Sequence, residues 1–301
     1  MNIEVTRINQ NIENDPSAYV KNVNEDYIFR LNRIVDEIEK ESRKKSVILL
    51  SGPSGSGKTT TAMMIEQLLE ERGHETHMIS MDDYFCPLTE HEKYLLTQGT
   101  IDLESPDRID KELLNEQINA LAQGEEIEVP KYDFTTSSRV SSGRKVKIKK
   151  GDIVIFEGIH ALNPAVITVP DQFLMKIYVS VRTRVTCDDI VLHPSKVRLL
   201  RRMIRDKNFR KRSLRETLNM FENVEIGENK YIMPYKHRAD FDVDTFIAYE
   251  MSAYREPLLD ELHKMTDAPQ LADVIRVLEA LNPIERENIT PDSLICEFIG
   301  K

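Results

Sequence analysis

One eight-residue segment constrains this chain more than any other. GPSGSGKT, from Gly52 to Thr59, follows the short apolar run SVILLS at 46–51 and precedes TTTAMMIEQLLEERG. Gly, four residues, Gly, Lys, Thr between a strand and a helix is the spacing with which a backbone loop surrounds phosphates. Gly52, Ser54, Gly55, Ser56 and Gly57 are small enough for successive N–H groups to point inward, and the helix N-terminus behind them adds partial positive charge. Lys58 is expected to bridge the β- and γ-phosphates of a triphosphate, Thr59 to hold Mg²⁺, and Thr60 to complete the cradle. The helix that follows places Ala62, Ile65, Leu68 and Leu69 on one face and stops at Gly73.

A second short strand, THMIS at 76–80, makes a strand-helix-strand unit whose strands run parallel. Asp110 caps a helix with Leu113, Leu114, Ile118 and Leu121 inward and Gly124 at its end. Residues 125–150 alternate apolar with polar around the turn-rich TTSSRVSSG, which predicts a β-hairpin excursion. Continuous apolar runs at 152–158 and 173–180 read as strands buried on both faces, and 240–246 supplies a last strand. Upstream, 24–44 predicts an amphipathic helix with Tyr27, Ile28, Leu31, Ile34, Val35 and Ile38 on one stripe. Leu258, Leu259 and Leu262 after Pro257, then Leu271, Val274, Ile275 and Leu278, give helices near the end. The expected fold is α/β: a P-loop NTPase sheet, mostly parallel and flanked by helices, with a β-hairpin and a basic helical lid. The expected organisation is an N-terminal helical extension at 1–45, a kinase domain at 46–265 with its lid at 196–215, and a C-terminal helical tail at 266–301.

Composition narrows the function. Among 301 residues, 41 Lys plus Arg stand against 51 Asp plus Glu, a formal net charge of -10. That balance disfavours broad nucleic-acid binding, which draws on net positive charge. No stretch approaches the ~18 consecutive apolar residues of a membrane helix, and MNIEVTRINQN lacks the form of a leader. Cys86, Cys187 and Cys296 are far apart with no CxxC pair, so a reducing cytoplasm and no disulfide framework are expected.

Three further features bear on chemistry. DIVIFEG ends in Glu157, a carboxylate emerging from a buried strand where the Mg²⁺ shell of a bound triphosphate would lie. SMDDYF brings Asp82 and Asp83 out at the carboxyl edge of the sheet, and Asp82 is the expected base that accepts the proton of an attacking alcohol. Between 196 and 215 stand ten Lys or Arg and one acid, Asp206, a local charge of +9. Guanidinium forks there suit a lid closing over transferring phosphates. A rival reading is a nucleotide-dependent RNA-binding or regulatory helix, which the scarcity of aromatics, Phe209 alone, disfavours. No NKxD-type guanine reader occurs, the histidines show no metal-ligand spacing, and His160 is expected to pack at a strand end.

GPSGSGKTT, ISMDDYF, ESPDRID, PKYDFTTSSR, VIFEGIHALNP, RRMIRDKNFRKR and IMPYKHRAD, in this order, resemble the uridine kinase and phosphoribulokinase group of P-loop kinases. The resemblance spans about residues 46–265 and is nearest to the bacterial uridine or nucleoside kinases, some of which carry an N-terminal TGS domain. The 45 residues before the core here are too few for one. It implies ATP and Mg²⁺, an alcohol acceptor such as the 5'-hydroxyl of a pyrimidine nucleoside, and a tendency to form homo-oligomers. It assigns Asp82 to the base, Arg205 with Lys58 to the chemical step, and Arg202, Arg205, Arg210 and Arg212 to the lid over ATP and acceptor. Phe85, Tyr132 and Phe134 fall on the acceptor side. The chain departs from the group's pattern there: Ser137 stands where a base-reading His is usual, Glu104 where a ribose-binding Asp precedes His-Pro, Met220 where a Gln is usual, and Lys211 replaces a Gly between lid arginines. Another small alcohol, such as a sugar phosphate, a glycerate-like acid or a different nucleoside, is therefore the alternative acceptor.

Overall fold

The computed structural model describes residues 1–98 and 101–300. Strand β1 (Asn2–Glu4) leads into α1 (Val5–Asn14) and the long α2 (Pro16–Glu41). Then follow β2 (Val47–Ser51), α3 (Lys58–Glu71), β3 (Thr76–Ser80), a 3₁₀ turn at Met81–Tyr84, α4 (Glu90–Thr97) and α5 (Lys111–Ala122). The hairpin is β4 (Ile127–Asp133) with β5 (Ser138–Val146), followed by β6 (Ile153–Glu157) and β7 (Leu174–Ser180). A short pair, β8 (Arg184–Cys187) and β9 (Ile190–Leu192), precedes α6 (Pro194–Arg210) and α7 (Leu214–Tyr231). The chain ends with β10 (Phe241–Asp244), α8 (Glu250–His263), α9 (Ala272–Ala280) and α10 (Cys296–Ile299).

The main sheet has the order β10-β7-β2-β6-β3, with every neighbouring pair parallel. β2 and β3 run parallel as expected, but β6 lies between them. All residues of β2, β6 and β7 are buried, and alternate side chains of β2 enter opposite cores: Ile48 and Leu50 one, Val47 and Leu49 the other. Helices on both faces are what a sheet of continuous apolar strands requires. The hairpin forms where expected, antiparallel, with a register shift between Glu128 and Pro130.

The flanks differ from the sequence reading. α2 starts at Pro16 rather than near residue 24, because Asp15 accepts a hydrogen bond from the Ala18 N–H and Pro16 needs no partner at the first turn. The first residues are not wholly helical: β1 pairs in parallel with β8, and β8 with β9, in a second sheet. α8 does not begin after Pro257 but carries it inside, starting at Glu250. α1, α2 and the C-terminal residues Leu271, Leu294, Ile295 and Phe298 belong to the same buried cluster as α3 and β7. Among the described residues no helix is long and apolar enough to cross a membrane.

Candidate active site

The phosphate loop rises from the end of β2, and its shape is enforced from outside. A Cβ on Gly52 would stand 2.0 Å from the Val179 carbonyl oxygen, so only glycine fits against β7. Gly57, at φ +81°, caps α3 in the left-handed region. Four groups then pin the loop's carbonyls and side chains. Arg198 donates to the Ser54 carbonyl (3.0 Å), Arg202 to Ser54 Oγ (2.8 Å), Arg201 to the Gly55 carbonyl (3.2 Å) and Thr245 to the Ser56 carbonyl (2.6 Å). The Ser54 and Ser56 N–H groups are taken by Glu228 and the Pro53 carbonyl, so those of Gly55, Gly57, Lys58 and Thr59 remain for a ligand. Lys58 folds back to the Pro53 carbonyl at 3.2 Å.

A pocket of about 260 Å³ opens over this loop. Ser54, Gly55, Gly57, Lys58 and Thr59 form its floor, while Gly52, Ser56 and Thr60 lie behind. Asp82 enters from the 3₁₀ turn after β3, and Glu157 from the end of β6. Asp82 is open to solvent at the pocket mouth, yet the surrounding walls raise its carboxyl above the usual range while Lys58 pulls it back. Asp83 turns the other way, accepting the Tyr132 N–H at 3.2 Å and lying 3.4 Å from Lys131, so it fastens the hairpin. Glu157 is buried and accepts from Ser80 Oγ at 2.9 Å; burial raises its carboxyl too. Glu104 completes the acidic wall. Its Oε2 has no partner, and burial pushes it up to about 7 against the opposing pull of Arg202.

The basic run sorts into two sets. Arg198 and Arg201 are buried against Glu228 and Glu250, and act on the loop's back rather than as a lid. Arg202, Arg205 and Arg210 line the pocket; the Nε groups of Arg202 and Arg205 are buried without a hydrogen bond, with Arg202 Nε 3.8 Å from Asp206. Asp206, the one acid of the run, is fully buried beneath them: Arg210 donates to it at 2.9 Å, and Arg212 lies 3.7 Å away without reaching the pocket lining. Lys207 pairs with Glu261 and Arg215 with Asp267 on the outer side of the run.

On the acceptor side, Phe85 lines the pocket and meets the rings of Tyr132 and Phe134 at 5.7 and 6.0 Å, but those two rings stand behind it. Ser137 is farther off, at φ +53° in the hairpin turn with its carbonyl accepting the Leu88 N–H. Met220 lines a second cavity of about 520 Å³ that shares Leu103, Glu104 and Arg202 with the first. His160 is packed, 1% exposed. Sequence reasoning missed Leu103, Ile159 and, above all, Glu297, whose carboxylate reaches the pocket from α10. No local motif marks Glu297; only the path of the C-terminal chain brings it there.

The donor set fits a metal-bound triphosphate. The free N–H groups of the loop, Lys58 and the guanidinium groups of Arg202, Arg205 and Arg210 that line the pocket suit phosphate oxygens. Mg²⁺ needs only one or two protein oxygens beside phosphates and water, as Thr59 and Glu157 offer. Among the described residues no ready-made cluster of metal-ligating side chains exists.

This arrangement of parallel sheet, glycine loop and strand-end carboxylates defines a P-loop kinase. The chain belongs to the phosphoribulokinase/uridine kinase family, whose model matches residues 47–251. Uridine kinase of Lactobacillus helveticus is 35% identical over 208 residues, covering 66% of this chain and 86% of its own length. Uridine kinase of Staphylococcus haemolyticus is 32% identical over 198 residues, covering 65% and 85%. In fold the chain is similar to YFH7 of Saccharomyces cerevisiae, with a TM-score of 0.51 at 11% identity over 71% of this chain and 96% of that one. The chain is accordingly a phosphotransferase that acts on an alcohol group.

Proposed function

We propose that this chain transfers the γ-phosphoryl group of ATP, with Mg²⁺, to the 5'-hydroxyl of a pyrimidine nucleoside, uridine first. The observation that carries the reading is the shared edge of one sheet. β2, β3 and β6 end side by side and lead the phosphate loop, Asp82 and Glu157 into a single pocket. Family membership supports the donor, and the relatives named uridine kinase support the acceptor.

When bound, ATP supplies the activated phosphoryl group and Mg²⁺ neutralises charge developing on its oxygens. Lys58 and the loop N–H groups would hold the phosphates, Thr59 and Glu157 would hold the metal, and Arg202 and Arg205 would meet the oxygens over which charge spreads. Asp82 takes the proton of the incoming hydroxyl as its oxygen attacks, and its raised basicity suits that role. Glu104, facing the acceptor side, receives a hydrogen bond from a second acceptor hydroxyl. In this reading residues 46–265 are the catalytic unit and the flanks support it.

A second acceptor class, another small alcohol of the same family's range, is favoured by the surroundings of Glu104. Met220, Val224 and Ile226 make the adjoining cavity largely apolar, and Ser137 stands away from it. Acceptor-dependent ATP consumption across nucleosides, sugar phosphates and glycerate separates the two. Turnover with uridine or cytidine is expected, and inactivity with every nucleoside overturns the primary reading.

A further inference from the structure

The C-terminal segment lies beyond the residues matched to the family, yet it enters the phosphate site. It is firmly seated. The Leu294 methyl carbons stand 3.2 Å from the place a Cβ on Gly57 would occupy, and Phe298 is wholly buried with the Arg201 guanidinium 5.1 Å from its ring centre. Ser293 Oγ is 2.6 Å from the Tyr249 hydroxyl, and Arg286 donates to the Gly300 carbonyl at 2.7 Å. Glu297 projects from this segment. Its Oε2 accepts from Thr60 Oγ1 at 2.6 Å, and its Oε1 lies 3.6 Å from Arg205 Nη1.

A carboxylate accepts the same hydrogen bonds as a phosphate oxygen and carries the same sign of charge. Glu297 therefore stands in for an anion at Arg205, which lines the pocket, while Thr60 behind the floor holds its other oxygen. The pocket's charges show why this matters. Lys58, Arg202, Arg205 and Arg210 face Asp82, Glu104, Glu157 and Glu297, four bases against four acids. Glu157 has a metal ion to face, Asp82 an alcohol proton and Glu104 the acceptor. Glu297 has none of these: its partners are Thr60 and Arg205, and its charge opposes an incoming phosphate.

We propose that Glu297 is an internal competitor of the phosphate donor: it occupies Thr60 and Arg205 in the ligand-free chain and yields them when the donor binds. The inference rests on the reading of this pocket as a polyphosphate site. It makes the C-terminal segment a built-in brake on donor affinity, released by the donor itself.

Glu297→Gln keeps an oxygen for the Thr60 hydroxyl and removes the charge. Calorimetric titration of the full chain and this variant with MgATP and with inorganic tripolyphosphate is expected to show about tenfold tighter binding of both ligands by the variant. The KM for ATP should fall with it, without a rise in kcat. Hydrogen exchange of the unaltered chain gives a second readout that does not depend on the variant's folding. The Ile299 and Gly300 amides, bonded to the Ile295 and Cys296 carbonyls, should exchange faster once tripolyphosphate saturates the site. Unchanged affinity in Glu297→Gln, weaker binding of ATP, or greater protection of those amides overturns the proposal; weaker ATP binding with tripolyphosphate unaffected would make Glu297 a reader of the nucleoside instead. If the unaltered chain binds neither ligand, and Lys58→Ala behaves identically, the polyphosphate reading itself falls.

Discussion

Arg198 and Glu228 form a buried fork, with guanidinium nitrogens 2.6 and 2.7 Å from the two carboxylate oxygens. The same pair brackets Ser54: Arg198 donates to its carbonyl at 3.0 Å and its N–H donates to Glu228 at 3.1 Å. The phosphate loop is thus clamped by an ion pair between α6 and α7. Replacing Arg198 by Met strands a buried carboxylate and should cost ~3–5 kcal/mol, whereas the double change Arg198→Met with Glu228→Leu should recover much of that loss. Urea unfolding of all four proteins in the cycle measures the coupling; additive effects would mean the clamp contributes nothing to stability.

Asp82→Asn retains the shape of the site but cannot take a proton. Turnover should fall by ~10²–10⁴-fold, while MgATP affinity stays close to that of the unaltered chain, because the phosphates are held by the loop and Lys58. Steady-state rates with a direct binding measurement separate the two effects. Near-normal turnover would transfer the base to another group.

Glu104 and His160 give opposite pH dependences. The Glu104 carboxyl is raised from 4.5 to about 7 by burial, so between those values the folded chain holds a proton that the unfolded chain has lost. Its contribution to stability is therefore full below pH 4.5 and is lost as pH rises towards 7, by about 1–3 kcal/mol. His160 is pushed down by burial from 6.5 to about 4, so its neutral packing stabilises above 6.5 and is lost as pH falls towards 4. Urea midpoints of Glu104→Gln and the unaltered chain between pH 4.5 and 7.5 test this. The variant should lack the decline on the alkaline side; parallel curves would show that Glu104 ionises at its ordinary value.

Local pattern carried most of the fold and part of the site. The strand at 76–80 and the GPSGSGKT turn depend on neighbours in sequence, and β3 spans the expected residues. Asp82 and Glu157 were visible because strand ends are marked by where apolar runs stop. The division of labour in the basic run was not, because Arg201 and Arg205 are indistinguishable until Glu250, 49 residues away, is seen to take one of them. Glu297 is invisible for the same reason: its partner Thr60 is 237 residues earlier.

The same long-range packing makes residues 1–45 part of the folding unit. Tyr27, Leu31, Val35 and Ile38 are all 1% exposed or less, and the Tyr27 hydroxyl lies 2.7 Å from Thr61 on the phosphate-loop helix. Each buried side chain is worth ~1.5–3 kcal/mol, so losing these four alone rivals the ~5–15 kcal/mol that holds a whole domain together. A chain beginning at Ser46 should give no cooperative thermal transition by circular dichroism. A sharp melt would show instead that the core from residue 46 stands alone.

Gly227 on α7 touches the segment that carries Glu104: a Cβ there would meet Glu104 Cβ at 2.5 Å and Cγ at 2.8 Å. Neither neighbour is the free end of a flexible chain, so Gly227→Ala must push the Glu104 backbone away from α7 or twist the carboxylate out of the pocket. The favourable helix propensity of Ala, up to ~1 kcal/mol, partly offsets the strain, so global stability should change little. The acceptor site should not be spared. KM for the acceptor is expected to rise about tenfold or more, because misplacing a group that orients substrate by a fraction of an ångström is costly, while KM for ATP remains nearly constant. A uniform loss on both substrates would mean the displacement spreads through Arg202 to the phosphate loop, and no change in either would place Glu104 outside acceptor binding.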